Sequence, residues 1–208
     1  MPDGVPAADV GQLLMNASAS DLAGWSTALG GADCTTPGTM SVANNVLDMS
    51  ISGASDVCDK VSSSQEFTAG TIVEARIYMP AGPGGGIANW PAFWMVGNSW
   101  PNDGEIDIAE AMNGCISSNY HYGTVSNEGS VNSGCLDAKP GWYTFDLVWS
   151  GDSLTFYYNG TKVYSESGSY IVNDPEYVTI TNTEGTLGDQ PGTASTLEVQ
   201  YVRAWAYQ

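Results

Sequence analysis

Three carboxylates lie close together in the segment GEIDIAEAMNG, which spans residues 104–114. They are Glu105, Asp107 and Glu110, and the residues between them are small or apolar. In a strand, side chains two residues apart share a face, so Glu105 and Asp107 point one way and Glu110 points the other. One extra residue, a β-bulge, would return Glu110 to the acidic face, and bulges are enriched next to active sites.

Three carboxylates held this close cannot all ionise freely, so at least one is expected to titrate abnormally. Retaining glycoside hydrolysis requires such a set. One carboxylate attacks the anomeric carbon, and a second, kept protonated, donates to the leaving oxygen, at a separation of about 5–5.5 Å. Asp107, between the outer two, would share a proton with the nucleophile and help to set its charge.

Two other interpretations stay open on the acidic residues alone, a calcium site and a solvated acidic face. The upstream segment NWPAFWMVGNSWPND favours a sugar site, because tryptophan faces stack on sugar rings and a calcium loop needs no such platform. Trp90 and Trp94 are four residues apart and share a face of a regular strand. With Trp100 they are candidates for substrate binding, and we expect two of the three to line a groove rather than the core.

The elements that must position these residues are predicted to be strands. About a dozen short β-rich runs separated by Gly, Asn, Asp and Pro predict an all-β sandwich. Asn159-Gly160 predicts a tight hairpin. In WYTFDLVW, residues 143, 145, 147 and 149 are all apolar, which predicts one buried face. The only weak helical pattern is AADVGQLLMNASASDL.

Composition limits the partners. The 208 residues, 42% of them hydrophobic, fit one domain spanning 1–208 with a sizeable core. With 23 acidic and 5 basic residues the net charge is −18, which argues against nucleic acid and against sulfated or uronic polymers. No run is long and apolar enough to span a bilayer. The expected partner is a neutral polysaccharide. The protein is expected to be a monomer that does not associate with a membrane.

The four cysteines, Cys34, Cys58, Cys115 and Cys135, show no CxxC or Cys/His metal pattern. Two local disulfides, Cys34–Cys58 and Cys115–Cys135, are the simplest of the three pairings, and four buried thiols are the alternative. Each disulfide would close a loop of about 20 residues and contribute roughly 3 kcal/mol. Disulfides indicate an oxidising compartment, so a secreted, extracellular protein is expected.

Taken together and in their order along the chain, the carboxylate motif and several other segments resemble glycoside hydrolase family 16. The resemblance covers nearly the whole chain. GEIDIAE is similar to the family's ExDxxE signature, in the bulged form of laminarinase-like members. NWPAFWMVG resembles the family's Trp-Pro-Ala-Phe-Trp strand, and WYTFDLVWSGDSLTFYYNGTKVY resembles the long hairpin that follows the catalytic strands.

The resemblance implies a concanavalin A-like β-jelly roll of two curved antiparallel sheets, with a sugar groove on the concave face. It implies that Glu105 is the nucleophile, Asp107 its assistant and Glu110 the acid/base. No cofactor is implied. The terminal segment of the family often carries an Asp that belongs to a calcium site, but Gln200 stands there, so no metal is expected.

Further residues matched by the resemblance are implied to contact substrate. Glu74 and Arg76 match a pair that contacts sugar hydroxyls, although an ordinary surface ion pair explains them equally well. His121, the only histidine, matches a polar residue close to the catalytic strand. Asn45 and Asn182 match asparagines that line the groove.

The sequence therefore predicts a secreted, retaining endo-glycosidase that hydrolyses a neutral β-linked polysaccharide, with β-1,3-glucan of the laminarin type as the first expected substrate. Mixed-linkage β-1,3-1,4-glucan and β-galactans such as agar are alternative substrates. Transglycosylation is a further alternative, because a sugar hydroxyl can intercept a glycosyl-enzyme. From other classes come a non-catalytic lectin and a calcium-dependent adhesion module; the lectin predicts a missing nucleophile or acid, and both are present here.

Overall fold

The computed structural model describes residues 1–30, 34, 36–184 and 192–208. Strands dominate these residues, with one short 3₁₀ helix and one short α-helix. The elements are the 3₁₀ helix Ala7–Asp9, β1 Val10–Ser18, α1 Ala19–Leu22, β2 Thr36–Pro37, β3 Thr39–Ala43, β4 Val46–Ile51, β5 Val57–Phe67, β6 Thr71–Met79, β7 Trp90–Val96, β8 Glu105–Met112, β9 Cys115–Thr124, β10 Asn127–Asn132, β11 Gly141–Ser150, β12 Ser153–Tyr158, β13 Thr161–Ser167, β14 Glu176–Thr183 and β15 Ser195–Tyr207.

The strands form two sheets packed as a jelly-roll sandwich, which confirms the predicted all-β fold. One sheet, called the outer sheet below, has the order β13-β12-β11-β6-β15-β4-β3, and β1 also pairs with β15. The other, called the groove sheet, has the order β10-β9-β8-β7-β14-β5-β2. Sequence neighbours such as β7, β8 and β9 are antiparallel neighbours in the groove sheet, so the three carboxylates of β8 lie on an interior strand.

The core lies between the two sheets and is built by alternation. Val73, Ala75 and Ile77 of β6 face inward from the outer sheet, and Ile106 and Ile108 of β8 face them from the groove sheet; all five are fully buried. Each large aliphatic side chain removed from water in this way contributes about 1.5–3 kcal/mol. The predicted apolar frame of β11, residues 143, 145, 147 and 149, also lies in this core.

The predicted hairpin at Asn159-Gly160 joins β12 to β13. Both residues have positive φ, 49° for Asn159 and 74° for Gly160. Two consecutive left-handed residues make the turn that matches the twist of a hairpin, and Asn-Gly is the pair that adopts it most readily.

The weak helical prediction near the N-terminus is wrong for most of its length. Residues 10–18 form β1, which pairs with β15, and only the 3₁₀ helix Ala7–Asp9 and α1 Ala19–Leu22 are helical. Ser18 caps this short helix in a capping box with Asp21. Pairing with a neighbouring strand outweighs a weak local preference, because propensity is a small term beside tertiary contacts.

Both predicted disulfides are confirmed. Cys34 and Cys58 are joined with their Cα atoms 5.5 Å apart, and Cys115 and Cys135 with theirs 5.7 Å apart. The first lies beside the groove sheet at β5, and the second ties the start of β9 to the chain that follows β10. Within the described ranges, no helix has the length and apolar character needed to cross a bilayer.

Candidate active site

Strand β8 has a register shift against both of its neighbours. On the β9 side the shift lies between Asp107 and Glu110, and on the β7 side Ile108 has no partner in the ladder. Ile108 and Ala109 are both fully buried in the core. Because two consecutive residues face the core, Glu110 returns to the face that carries Asp107, as a β-bulge requires. The structure thus contains the bulge that the spacing predicted.

Two hydroxyl groups hold the bulge from inside the core. Ser118 on β9 donates to the carbonyl oxygen of Ile108 at 2.8 Å, and the hydroxyl of Tyr158 donates to the same oxygen at 3.2 Å. Tyr158 belongs to β12 of the outer sheet, so its side chain spans the sandwich to reach the bulge. A buried carbonyl displaced from its ladder needs such partners, and these two supply them.

Gly104 sets the entry of the chain into β8. Its φ of 83° lies in the left-handed region that favours glycine. A Cβ at this position would lie 3.0 Å from the hydroxyl oxygen of Tyr120 and 3.1 Å from Oε1 of Glu176. Both the backbone conformation and the close packing therefore require glycine immediately before Glu105.

An open groove of about 680 Å³ lies over the groove sheet, and Glu105, Asp107 and Glu110 all line it. All three candidate tryptophans line it as well, with Trp100 the most exposed at 43%. The remaining lining residues come from β7, β14, β5 and two loops: Ala28, Leu29, Gly30, Cys34, Cys58, Ala92, Gly97, Asn98, Thr181 and Thr183. The groove therefore combines three carboxyl groups with three indole rings.

Glu110 is held by two donors. Nε1 of Trp90 donates to its Oε1 at 2.8 Å, and the side-chain amide of Asn119 donates to its Oε2. Asn119 lies on β9 opposite Asp107. With both oxygens engaged, Glu110 has a fixed orientation although it lines an open groove.

His121 lies on β9 directly opposite Glu105. Its Nε2 is 3.9 Å from Oε1 of Glu105 and 3.6 Å from Oδ2 of Asp107. Its Nδ1 lies 2.8 Å from Oε1 of Glu128 on β10, and its ring tilts against Trp100 with the centroids 6.4 Å apart. The structure thus places His121 next to the strand that carries the three carboxylates.

Burial raises the pKa of all three carboxyl groups. The pKa of Glu105 rises to about 7, because burial outweighs the opposing charge of His121 and the charge of Glu110 adds to the rise. Burial and the charges of both glutamates raise the pKa of Asp107 well above its usual value. Burial also raises the pKa of Glu110, against the hydrogen bond from Trp90. The groove therefore favours the neutral form of all three groups more than water does.

One set of side chains in the groove also has the composition of a cation site. Glu105, Asp107 and His121 each offer one ligand atom, and these atoms lie within 4.8 Å of one another. Two carboxylate oxygens and one imidazole nitrogen are ligands typical of divalent metals.

Glu74 and Arg76 do share one face of β6, but it is the outward face of the outer sheet. Glu74 accepts a hydrogen bond from the backbone N–H of Asp3 at 2.9 Å, and its Oε1 lies 3.7 Å from Arg203. Arg76 donates to the hydroxyl of Thr144 at 3.2 Å. The prediction that this pair contacts sugar in the groove is wrong, because β6 belongs to the other sheet.

The two asparagines do not line the groove either. Asn45 lies exposed in the turn between β3 and β4, with a φ of 61°. Asn182 is fully buried and donates to the backbone carbonyl of Met49, so it links the two sheets from inside. Its neighbours Thr181 and Thr183 face the groove instead, because alternation along β14 turns Asn182 inward.

The sequence analysis did not identify some residues of the site, although the alternation of side chains along their strands could have indicated them. Asn119 lies two residues before His121 on β9 and so shares its face. In YVTITNT, the apolar residues Val178 and Ile180 mark the inward frame, which leaves Thr181 and Thr183 to face the groove. For Glu128 there was no local signal, since its contact with His121 depends on the pairing of β9 with β10.

Comparison with known proteins adds to this geometry. Residues 27–136, more than half of the chain, match the family model described as XgeA-like, catalytic GH16 domain. A probable endo-1,3(4)-beta-glucanase from Aspergillus fumigatus is 44% identical over 61 residues, which are 29% of this chain and 9% of that protein. A glucan endo-1,3-beta-glucosidase from Cryptopygus antarcticus is 28% identical over 194 residues, covering 72% of this chain and 70% of that protein.

The matched segments cover only about a tenth of the length of the fungal relatives. Among solved structures, the endo-beta-1,3-glucanase from Pyrococcus furiosus superposes with a TM-score of 0.61 at 24% identity, covering 81% of this chain and 78% of that chain. That similarity concerns the fold. Together with the family model, which matches more than half of the residues, it leads to one assignment: the chain belongs to glycoside hydrolase family 16.

Proposed function

We propose that this chain is a secreted, retaining endo-β-glucanase that cleaves β-1,3 linkages in a neutral glucan. The observation that carries the proposal is the bulge in β8, which brings Glu105 and Glu110 to one groove. A strand without the bulge would turn one of these carboxylates into the core and leave the groove with half of the required pair.

In the first step, the carboxylate of Glu105 attacks the anomeric carbon and forms a glycosyl ester, while the bond to the leaving sugar breaks. Glu110 gives its proton to the leaving oxygen. In the second step, Glu110 takes a proton from water, and the water oxygen attacks the same carbon and releases Glu105. Two displacements retain the configuration of that carbon.

Asp107 assists this chemistry by holding a proton beside the nucleophile. It is 3% exposed, and burial and its acidic neighbours favour its neutral form by raising its pKa. A neutral Asp107 adds no repulsion when Glu105 ionises, and it can stabilise the Glu105 carboxylate by sharing its proton.

The groove suits a neutral sugar polymer. Trp90, Trp94 and Trp100 provide apolar faces for sugar rings, and Thr181 and Thr183 provide hydroxyl groups. The net charge of −18 repels anionic polymers. The β-1,3 linkage is proposed because two proteins similar to parts of this chain are named probable endo-1,3(4)-beta-glucanase and glucan endo-1,3-beta-glucosidase. Secretion is proposed because two disulfides persist in an oxidising compartment.

The test is a panel of laminarin, a mixed-linkage glucan and agarose, each assayed for new reducing ends and for oligosaccharide masses. We expect a series of oligosaccharides from laminarin, weaker cleavage of mixed-linkage glucan and none of agarose. Glu105→Gln, checked for folding by thermal melting, is the matched control and should release nothing. A folded wild-type protein that yields no products from laminarin would refute the β-1,3 assignment.

A further inference from the structure

Three groove side chains converge on one small space from two strands. Nε2 of His121 lies 3.6 Å from Oδ2 of Asp107 and 3.9 Å from Oε1 of Glu105. The three ligand atoms lie within 4.8 Å of one another. This set combines one imidazole nitrogen with two carboxylate oxygens at the point where the sugar's reacting carbon must arrive.

Asp107 points independently to a ligand. The residue is 3% exposed, and its Oδ2 has no hydrogen-bond donor among the described residues. A buried carboxylate oxygen without a donor is costly. A cation placed between Asp107 and His121 would displace the proton that Asp107 holds and satisfy this oxygen.

His121 is prepared for such a cation by its other ring nitrogen. Nδ1 lies 2.8 Å from Oε1 of Glu128. A carboxylate that accepts the Nδ1 proton fixes the tautomer in which Nε2 carries its lone pair toward the groove. Metal-binding histidines are commonly oriented by a carboxylate in this way.

We propose that Glu105, Asp107 and His121 form a binding site for a divalent transition-metal ion of the zinc type, with Glu128 orienting His121. A mixed nitrogen and oxygen set favours such an ion over Ca²⁺ and Mg²⁺, which prefer oxygen ligands alone. Zinc takes ligands about 2.0–2.2 Å away, a contraction that small side-chain rotations supply. The net charge of −18 raises the local concentration of cations.

Bound zinc occupies the nucleophile, so its consequence rests on the proposed function. An ion on Glu105 blocks attack on the anomeric carbon and competes with the sugar for the same space. Zinc is therefore a competitive inhibitor here and not a cofactor, and it raises KM while kcat stays unchanged.

Calorimetric titration of the whole chain with Zn²⁺ in a non-chelating buffer at neutral pH tests the site without any substrate. We expect one ion per chain at this site. His121→Asn should weaken binding at least about tenfold, and Glu128→Gln by about 10–100-fold, as loss of an outer carboxylate does elsewhere. Asp152→Asn, an acidic residue in the exposed turn after β11, is the matched control and should bind as the wild type does. Ca²⁺ and Mg²⁺ should give no comparable binding.

Zinc that binds the His121→Asn and Glu128→Gln variants as tightly as the wild type would overturn the site, since the ion would then lie elsewhere on the acidic surface. Laminarin cleavage measured with and without Zn²⁺ separates the two proposals. A protein that binds one zinc through His121 but cleaves no polysaccharide supports the site and refutes the proposed function. An active protein whose KM for laminarin is unchanged by saturating zinc refutes the site.

Discussion

Two clusters of buried acidic residues lie on different sheets, and only one of them faces open space. On the outer sheet, Glu74 and Asp146 are both nearly fully buried. The backbone N–H of Asp3 donates to both, at 2.9 and 3.2 Å, and Arg203 lies beside Glu74. On the groove sheet, Asp107 and Glu110 are about as buried, yet both line a groove of about 680 Å³.

A raised pKa does not by itself distinguish the two clusters. Burial and the charge of Glu74 raise the pKa of Asp146 to about 9, a larger rise than the one that takes Glu105 to about 7. The outer cluster is covered by the first residues of the chain, with Val5 packed against Ile72. The comparison shows that a raised carboxyl pKa indicates a reactive centre only where a substrate can reach the carboxyl group.

The strongest test of this difference is Glu105→Gln. We expect activity on laminarin to fall by at least about 10³-fold, because removal of a nucleophile costs several orders of magnitude. Asp146→Asn, the same change of charge in the outer cluster, should leave turnover near the wild-type level. If circular dichroism shows that both variants are folded and both lose similar activity, the two clusters do not differ in the way proposed.

Glu110→Gln should cost about 10²–10⁴-fold on laminarin, the usual contribution of a general acid. The loss should shrink strongly for a dinitrophenyl glycoside, whose leaving group needs no proton. The ratio of kcat/KM on the two substrates is the measurement. An equal loss on both would mean that Glu110 does not protonate the leaving oxygen.

The aromatic residues of the two sheets offer a smaller contrast. Trp100→Ala should raise KM for laminarin about fivefold, because an exposed indole in the groove stacks on a sugar ring, a contact of about 1 kcal/mol. Trp142 on the outer sheet packs against Tyr78 and the guanidinium of Arg76, so Trp142→Ala should leave KM unchanged. A rise in KM for Trp142→Ala alone would place substrate on the outer sheet.

The last expected effect concerns stability rather than turnover. The raised pKa of Asp146, from 3.8 to about 9, means that the folded chain keeps a proton that the unfolded chain releases above about pH 4. The free energy of unfolding therefore falls as pH rises through this window and levels off above pH 9. Urea unfolding at pH 5, 7 and 9 should show a shallower fall for Asp146→Asn. An unchanged slope would indicate that Asp146 is ionised in the folded chain.

The sequence predicted the arrangement of the carboxylates on the groove sheet because local spacing encodes it. Ile106 and Ile108 fix the inward frame of β8, and the offset of Glu110 leaves a bulge as the only way to the acidic face. The cysteine pairing followed in the same way from short loops between Cys34 and Cys58 and between Cys115 and Cys135.

The sequence did not predict which sheet each pair of polar residues occupies. Alternation states that Glu74 and Arg76 share a face, but long-range pairing decides that β6 lies beside β11 and β15. Asn182 was misplaced by one residue, and in a strand one residue reverses the face. The contact between His121 and Glu128 depends on the turn between β9 and β10, which periodicity does not describe.

The most direct test of the central claim is to trap the glycosyl ester. The protein is treated with a β-linked glucan oligosaccharide that carries fluorine at C2 and a dinitrophenyl leaving group, and its peptides are then analysed by mass spectrometry. We predict a single sugar adduct on the peptide containing the motif, attached to Glu105. An adduct on Glu110, or turnover of laminarin by a protein that forms no adduct, would contradict the account.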